Sequence, residues 1–335
     1  MGDHLAQIFY DNDATLSTLK GVVVGIIGYG NQGRAWAMNL RDSGVNVVIG
    51  NVKDSYWDNA VADGFHVYEI SEATKRSDII CILLPDEMQR TVYYSYIEPY
   101  MREGNMIVFA HGFSIRYGLI APRKDVDIAL LAPRMIGIGV RKLYEAGYGA
   151  PAFVAVKQDV TGMAWPRILA LAKALGFTRA GVIESSFEEE TELDLFTEQA
   201  VMPIIISTFL KAYEILLSRG YSVEAILTEL IASGELIEVF RQSCKLGLLG
   251  QLILHSRTSQ YGQLSRIERY IDRIHDPMVK SLEEIASGLF SEEWVKEQEM
   301  GYPNFKKLLE QALSSRIQKD LEDLRRRLKV PYDML

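Results

Sequence analysis

The chain has 335 residues, 48% hydrophobic and 24% charged, and carries 36 basic against 44 acidic side chains for a formal net charge of −8. That length buries a sizeable core and suits two domains, and the negative balance argues against a nucleic-acid partner. Its 2 cysteines, Cys81 and Cys244, exclude a disulfide framework and a zinc motif and suit a reducing, cytoplasmic compartment. No apolar stretch of membrane-spanning length stands out, which argues against a membrane partner, and Met1-Gly2-Asp3-His4-Leu5 lacks a charged leader with an apolar core.

The first informative element is the β-branched run Val22-Val23-Val24-Gly25-Ile26-Ile27, which leads into Gly28-Tyr29-Gly30-Asn31-Gln32-Gly33-Arg34-Ala35. Strand, glycine turn and helix in that order suit a dinucleotide. The first glycine permits the tight turn, the second admits a pyrophosphate, the third lets helix and strand pack closely, and the helix N-terminus offers N–H groups to the anion. A helix from Ala35 to Ser43, ending at Gly44, and a second strand from Val45 to Gly50 complete the βαβ unit. After that strand an acid would bind a ribose 2′-hydroxyl, whereas basic and hydroxyl residues would accept a 2′-phosphate. Asn51 stands in the place of the acid, Lys53 and Ser55 suit a phosphate, and Asp54 opposes one. The balance favours NADP with NAD also used; Lys53 also reads as an ordinary solvated loop lysine.

Further strands are expected at Ser77 to Leu84, Asn105 to Ala110, Ile128 to Ala132 and Phe153 to Lys157, which with the intervening helices predict a mostly parallel, doubly wound sheet. Ligands of such sheets bind beyond the carboxyl ends of the strands. Leu84-Pro85-Asp86-Glu87, His111 and Arg134 follow three of those ends; the histidine is placed for the cofactor cleft and the arginine offers a planar fork for a carboxylate. Near Glu184 the apolar spacing turns helical, with helices expected over Phe196 to Arg219, Ser222 to Lys245, Ser265 to Leu289, Ser291 to Glu310 and Ile317 to Lys329. The boundaries are 1–183 for a Rossmann-type nucleotide-binding domain and 184–335 for an all-helical domain. At the start of the second, Asp194 and Glu198 lie four residues apart on a helix and so share a face. In an apolar helix such a pair suits a divalent cation; on a surface helix it is an ordinary solvated pair.

Taken together, these motifs resemble the ketol-acid reductoisomerases in their short form. The resemblance runs through Tyr10-Asp11-Asn12-Asp13-Ala14, the glycine turn, Leu84-Pro85-Asp86-Glu87 and Ala110-His111-Gly112-Phe113. It continues in Thr178 to Ile183, Glu189-Glu190-Thr191-Glu192-Leu193-Asp194-Leu195-Phe196-Thr197-Glu198-Gln199 and Ser256-Arg257-Thr258-Ser259-Gln260-Tyr261-Gly262. It implies reduction and alkyl migration of a small 2-hydroxy-3-oxo acid, 2-acetolactate or 2-aceto-2-hydroxybutyrate, in branched-chain amino-acid biosynthesis, with NAD(P)H and two magnesium ions. It also implies a knotted helical domain and a homodimer with sites shared between subunits, open to higher assembly. By resemblance Asp194 and Glu198 would bind magnesium, with Glu229 and Glu235 completing the second site across the dimer. Ser256 would hold the substrate carboxylate; His111, Arg134 and Glu198 would be catalytic; and Gly137 would join the glycine turn, Asn51, Lys53, Ser55, Leu84, Pro85, Asp86 and His111 at the cofactor. Two cations would stabilise the alkoxide and the polarised carbonyl of the alkyl shift, and hydride would then trap the product, so metal and dinucleotide sites should face each other.

Three positions depart from the family pattern. Arg134 replaces the usual lysine after Ala-Pro, with Ile136 and Ile138 in place of the Pro and His that follow, and an arginine does not readily donate a proton. Glu229 and Glu235 are six apart where the family has four, which implies two extra residues around Ala232-Ser233-Gly234 that break or bulge the helix. The cofactor loop is also short. These departures keep two other readings open: a reductase of another small 2-oxo acid that has lost the alkyl shift, and a non-catalytic cofactor-binding subunit.

Overall fold

The computed structural model describes residues 5–331, so Met1 to His4 lie outside it. The chain divides into two compact units between Leu193 and Asp194.

The first unit is built on one nine-stranded sheet: β1 (Ile8–Phe9), β2 (Val23–Ile27), β3 (Asn46–Gly50), β4 (Val67–Tyr68), β5 (Ile79–Ile82), β6 (Met106–Phe109), β7 (Asp127–Pro133), β8 (Ala152–Gln158) and β9 (Val182–Glu184). Their order across the sheet is β1-β9-β8-β7-β6-β5-β2-β3-β4. The six strands from β7 to β4 are parallel, and the order reverses direction between β2 and β5, where a doubly wound sheet opens its ligand crevice. Two antiparallel pairings close the other edge, β7 with β8 and β1 with β9, which strand composition alone does not disclose. Crossover helices cover both faces: α1 (Asn31–Asp42), α2 (Ser55–Ala62), α3 (Ile70–Arg76), α4 (Asp86–Val92), α5 (Phe113–Arg116), α6 (Gly137–Glu145) and α7 (Ala164–Ala174). One apolar cluster lies on each face, around Trp36, Leu40 and Phe177 on one and around Tyr93, Phe109 and Phe187 on the other. Because both faces are covered, β5 and β6 are buried along their whole length, which is why they read as unbroken apolar runs.

The chain leaves this unit through α8 (Phe187–Phe196), a widened π-helical turn at Thr197–Val201, and α9 (Met202–Ser218). Pro203 has no N–H to give the preceding turn, and Met202 N–H reaches back five residues to Thr197 O, so the bulge absorbs the proline without breaking the run. As one helix, residues 187–218 are long and apolar enough to cross a membrane by length and composition, at a mean hydropathy of 1.7 in the most apolar window. The sequence reading of no such stretch is corrected here: the bulge joins segments that look separate.

The second unit continues with α10 (Val223–Leu227), a π turn at Thr228–Ala232, α11 (Glu235–Leu246), α12 (Arg257–Ser287), α13 (Leu289–Glu299), α14 (Pro303–Ser314) and α15 (Arg316–Arg327). The helix expected over Ser222 to Lys245 is interrupted at Gly234, within the stretch where the glutamate spacing implied a break, and its φ of +77° favours glycine. The one expected over Ser291 to Glu310 breaks at Gly301-Tyr302-Pro303, where Tyr302 takes a left-handed φ of 66° and the buried Glu297 carboxylate accepts Phe305 N–H at 2.8 Å. The unit's own core is small: Tyr213, Ile226, Leu227, Ala232 and Leu324, with Tyr213 donating its hydroxyl to Asp320.

Candidate active site

At the crevice of the sheet, β2 runs into the glycine turn and α1. A Cβ on Gly33 would stand 1.9 Å from Gly28 O, so only glycine lets α1 start this close to β2, whereas a Cβ on Gly30 would meet nothing within 4 Å. The turn is tight on its inner side and open outward, as a pyrophosphate requires. Tyr29 turns into the core and donates its hydroxyl to Asp63 at 2.9 Å, so it offers a ligand its backbone only. Asp63 also takes two bonds from Arg34, at 2.7 and 2.9 Å, which hold its carboxyl below the usual range, while burial pushes the Tyr29 phenol up. Gln32 donates to Met135 O at 2.8 Å, and a Cβ on Gly137 would stand 2.0 Å from Asn31 O, so the loop after β7 is packed onto the start of α1.

The specificity loop is braced from inside. Asn51 is buried; its Oδ1 accepts Tyr29 N–H at 3.3 Å and its Nδ2 donates to Val52 O and to Asp54 Oδ1, both at 2.9 Å. Its hydrogen-bonding capacity is therefore spent on holding the loop to the glycine turn. Asp54 caps α2 by accepting Tyr56 and Trp57 N–H, and it stands exposed between Lys53 and Ser55, which are exposed too.

At the ends of β5 and β6, Leu84 and Pro85 lead into α4, whose first residue Asp86 holds His111 Nδ1 at 2.7 Å. A carboxylate at that distance requires a proton on Nδ1, so Asp86 sets the imidazole's tautomer and orientation. Asp86 is itself steadied by buried Gln89, which donates to Asp86 Oδ1 and Leu84 O, both at 3.0 Å, and accepts Ser114 Oγ at 2.9 Å. His111 stacks on Phe113 at 6.0 Å between ring centroids.

Glu190 is the residue that sequence reasoning missed. Its carboxylate, 1% exposed, accepts Gly112 N–H at 2.8 Å through one oxygen and Arg134 Nη1 at 3.3 Å through the other. One buried anion thus ties the loop behind His111 to the loop after β7. The Arg134 guanidinium also lies over the Phe153 ring at 5.4 Å, and a Cβ on Gly112 would strike Thr191 Oγ1 at 2.4 Å. A signal was available: Glu190, Asp194 and Glu198 recur every four residues.

In the second unit Asp194 is half-buried and Glu198 sits exposed in the widened turn. Glu229 occupies the second π turn and Glu235 opens α11, both exposed, on either side of the break at Gly234. Ser256 caps the N-terminus of α12, accepting Ser259 N–H at 3.3 Å. Among the described residues no three histidine, cysteine or carboxylate side chains gather into one metal site. Asp194, Glu198, Glu229 and Glu235 offer hard oxygen donors, the donor type that suits magnesium.

A family model described as the NADPH-binding domain of acetohydroxy acid isomeroreductase matches residues 18–181, and one described as the C-terminal domain of ketol-acid reductoisomerase matches residues 187–330. The chain is 44% identical over 326 residues to a ketol-acid reductoisomerase (NADP(+)) of Methanopyrus kandleri, covering 96% of this chain and 98% of that one. It is 41% identical over 327 residues to the corresponding enzyme of Caldivirga maquilingensis, covering 97% and 99%. Among solved structures, an NADH-preferring ketol-acid reductoisomerase from an uncultured archean superposes with a TM-score of 0.91 at 34% identity, covering 97% of this chain and 100% of that one.

Proposed function

Since the chain belongs to the ketol-acid reductoisomerase family, as an NAD(P)H-dependent enzyme of branched-chain amino-acid biosynthesis acting on small acetohydroxy acids, we propose that it carries out both the alkyl shift and the reduction despite Arg134 and the interrupted glutamate helix. The observation that carries this reading is the buried Glu190 carboxylate, which binds Arg134 and the loop of His111 together. The guanidinium at position 134 is thereby held by a counter-ion in a fixed place. It supplies a permanent positive charge and needs no proton transfer.

In this reading the glycine turn and Gly137 loop cradle the pyrophosphate, and Asp86 keeps His111 in one tautomer beside the nicotinamide and substrate. The cofactor is NADPH, with Lys53 and Ser55 at the 2′-phosphate, and NADH is used as well because Asp54 stands between them. Asp194 and Glu198 of one copy, with Glu229 and Glu235 of a second, would hold two magnesium ions. Bound there, the ions supply the positive charge that offsets an alkoxide and a polarised carbonyl oxygen. Ser256 donates its hydroxyl to the substrate carboxylate.

The surface of the second unit supports the reading of a homodimer. Only 11% of the most apolar window of the helix over 187–218 is buried within one chain. Between α9 and α12 a cavity of about 730 Å³ is lined by Ile204, Ile215, Tyr270, Ile274 and Met278, apolar groups that a second copy would cover.

The test follows NADPH and NADH oxidation with 2-acetolactate, and separately with 3-hydroxy-3-methyl-2-oxobutyrate, each with and without magnesium. The second compound needs only reduction. Magnesium-dependent turnover of both is expected. Turnover of the second alone would mean that the alkyl shift is lost, and turnover of neither would overturn the reading.

A further inference from the structure

Ser256 sits in a segment that packing does little to fix. The 3-10 turn before it, Gly250–Leu254, buries Gln251 and Leu252, but its neighbours Leu249, Ile253 and Leu254 are 59%, 72% and 59% exposed. Hydrogen bonds hold it. His255 lies in extended conformation, with its Nε2 3.0 Å from the side-chain oxygen of Gln251. That oxygen only accepts, so Nε2 carries the proton. From the other side Gln260, in the first turn of α12, donates its side-chain amide to His255 O at 2.7 Å, while its backbone N–H reaches Ser256 O at 2.9 Å. Ser256 is thus held from both sides, by the turn through His255 and by the helix through Gln260.

We propose that His255, clamped between Gln251 and Gln260, is a positioning residue that fixes Ser256 for the substrate carboxylate. The proposal rests on the reading of Ser256 as the carboxylate contact. His255 acts through the backbone and not on the reacting atoms. The carboxylate is unchanged between ground and transition state, so loosening its contact weakens binding uniformly: KM rises and kcat holds. Small misplacements of a contact group are enough to lose it.

The experiment compares Ser256→Ala, His255→Ala and His255→Gln with the unaltered enzyme, using 2-acetolactate and 3-hydroxy-3-methyl-2-oxobutyrate with saturating NADPH and magnesium. The glutamine amide restores a donor near the place of Nε2–H. His255→Ala is expected to raise KM about tenfold, or about 1.4 kcal/mol, for both compounds, since both carry the carboxylate. It should leave kcat within about twofold and NADPH affinity unchanged, and His255→Gln should recover most of the loss. An unchanged KM in His255→Ala, a fall in kcat in its place, or no recovery with glutamine would overturn the clamp. If Ser256→Ala itself leaves KM unchanged, the serine is not the carboxylate contact, and the clamp as a substrate device falls with it. A normal Ser256→Ala effect beside a silent His255→Ala would sink the clamp alone. Loss of NADPH binding in His255→Ala would mark general misfolding, and Gln251→Leu, which removes the acceptor of Nε2–H and keeps the histidine, then decides: a raised KM with kcat held supports the clamp, and an unaltered KM overturns it.

Discussion

The two units differ in whether one chain completes their cores. In the first, two apolar clusters, one on each face of the sheet, are closed by helices of the same chain. In the second, the one core cluster among the described residues has five buried members, while Ile206, Ile215, Phe240, Tyr261 and Tyr270 are each about half exposed or more. The first owes its stability to its own burial and should be indifferent to concentration; the second, in the proposed dimer, owes part of its stability to a second copy and should not be. In the proposed reading the cofactor is held by neighbouring strand ends of the first unit, whereas the magnesium ligands of the second need completion by another copy.

The sharpest way to break this comparison is Ile215→Asp. A half-exposed surface isoleucine in a self-sufficient unit would tolerate the change within about 0.5 kcal/mol. If the cavity between α9 and α12 is a subunit seam, the aspartate buries an unpaired charge there. Sedimentation should then show monomers, turnover should vanish, and NADPH binding should survive. A variant that remains a dimer with normal turnover would return the cavity to ordinary surface. Next in size is Asp194→Asn. Removing one anion from the proposed magnesium pair should lower kcat on the order of 10²- to 10³-fold, the usual cost of losing one electrostatic stabiliser, and raise the magnesium needed for half-activity. NADPH affinity, which belongs to the self-contained unit, should stay put.

How much of this was legible in the sequence follows the same division. The glycine turn announces itself because its chemistry is local: Gly28, Gly30 and Gly33 act within one turn, and the strand before and helix after can be read from neighbouring residues. His111 and Asp86 fall at strand ends, and strand ends are visible once the apolar runs are counted. The placement is legible, though the 2.7 Å bond between them joins residues 25 apart. Glu190 was legible only as the first of three acids spaced four apart; its partners were not, since Gly112 N–H and Arg134 reach it across 78 and 56 residues. Asn51 looks like a substitute for an acid until its partners are known; then it is a brace that holds the loop to the glycine turn. The π turn at Thr197–Val201 was missed because periodicity is blind to one inserted residue, whereas the irregularity before Glu235 showed in the spacing of Glu229 and Glu235; the antiparallel edge was missed because pairing direction depends on the path of the chain between strands.

Smaller effects sharpen the picture of the cofactor unit. Glu190→Gln keeps an acceptor for Gly112 N–H but turns an amide donor towards Arg134 or swaps the two. We expect a fall in kcat of about 10- to 100-fold, the scale of losing a supporting partner of a functional group. Gly112→Ala, with its Cβ 2.4 Å from Thr191 Oγ1, should mimic that loss by displacing the same loop. If Glu190→Gln changes only thermal stability, Glu190 is a structural brace and no more. Below this comes Asp54→Ser. Removing the exposed negative charge beside Lys53 should move the ratio of kcat/KM for NADPH over NADH up by about tenfold, or 1.4 kcal/mol. An unchanged ratio would mean that Asp54 acts only as the cap of α2.

The smallest effect tests the claim that the first unit stabilises itself. Arg34, and after it Tyr29, favours the ionised form of Asp63 against the cost of burial, so the folded carboxyl titrates below its unfolded counterpart. A depressed carboxyl stabilises the fold fully at pH above the unfolded value, and that stabilisation is lost as pH falls through the lowered folded value. Asp63→Asn lacks this contribution at every pH. The two proteins should therefore differ most near neutrality and converge in acid. Arg34 is 55% exposed, so solvent screens the pair and limits its worth to roughly 0–1 kcal/mol, a shift of at most about 4 °C in the first unit's thermal midpoint. Tyr29 loses its acceptor in the same variant and sits in the glycine turn, so NADPH affinity gives a second readout. A midpoint difference that persists into acid would show that Asp63 stabilises through its hydrogen bonds in either protonation state. One that also varies with protein concentration would deny the first unit its independence of a second copy.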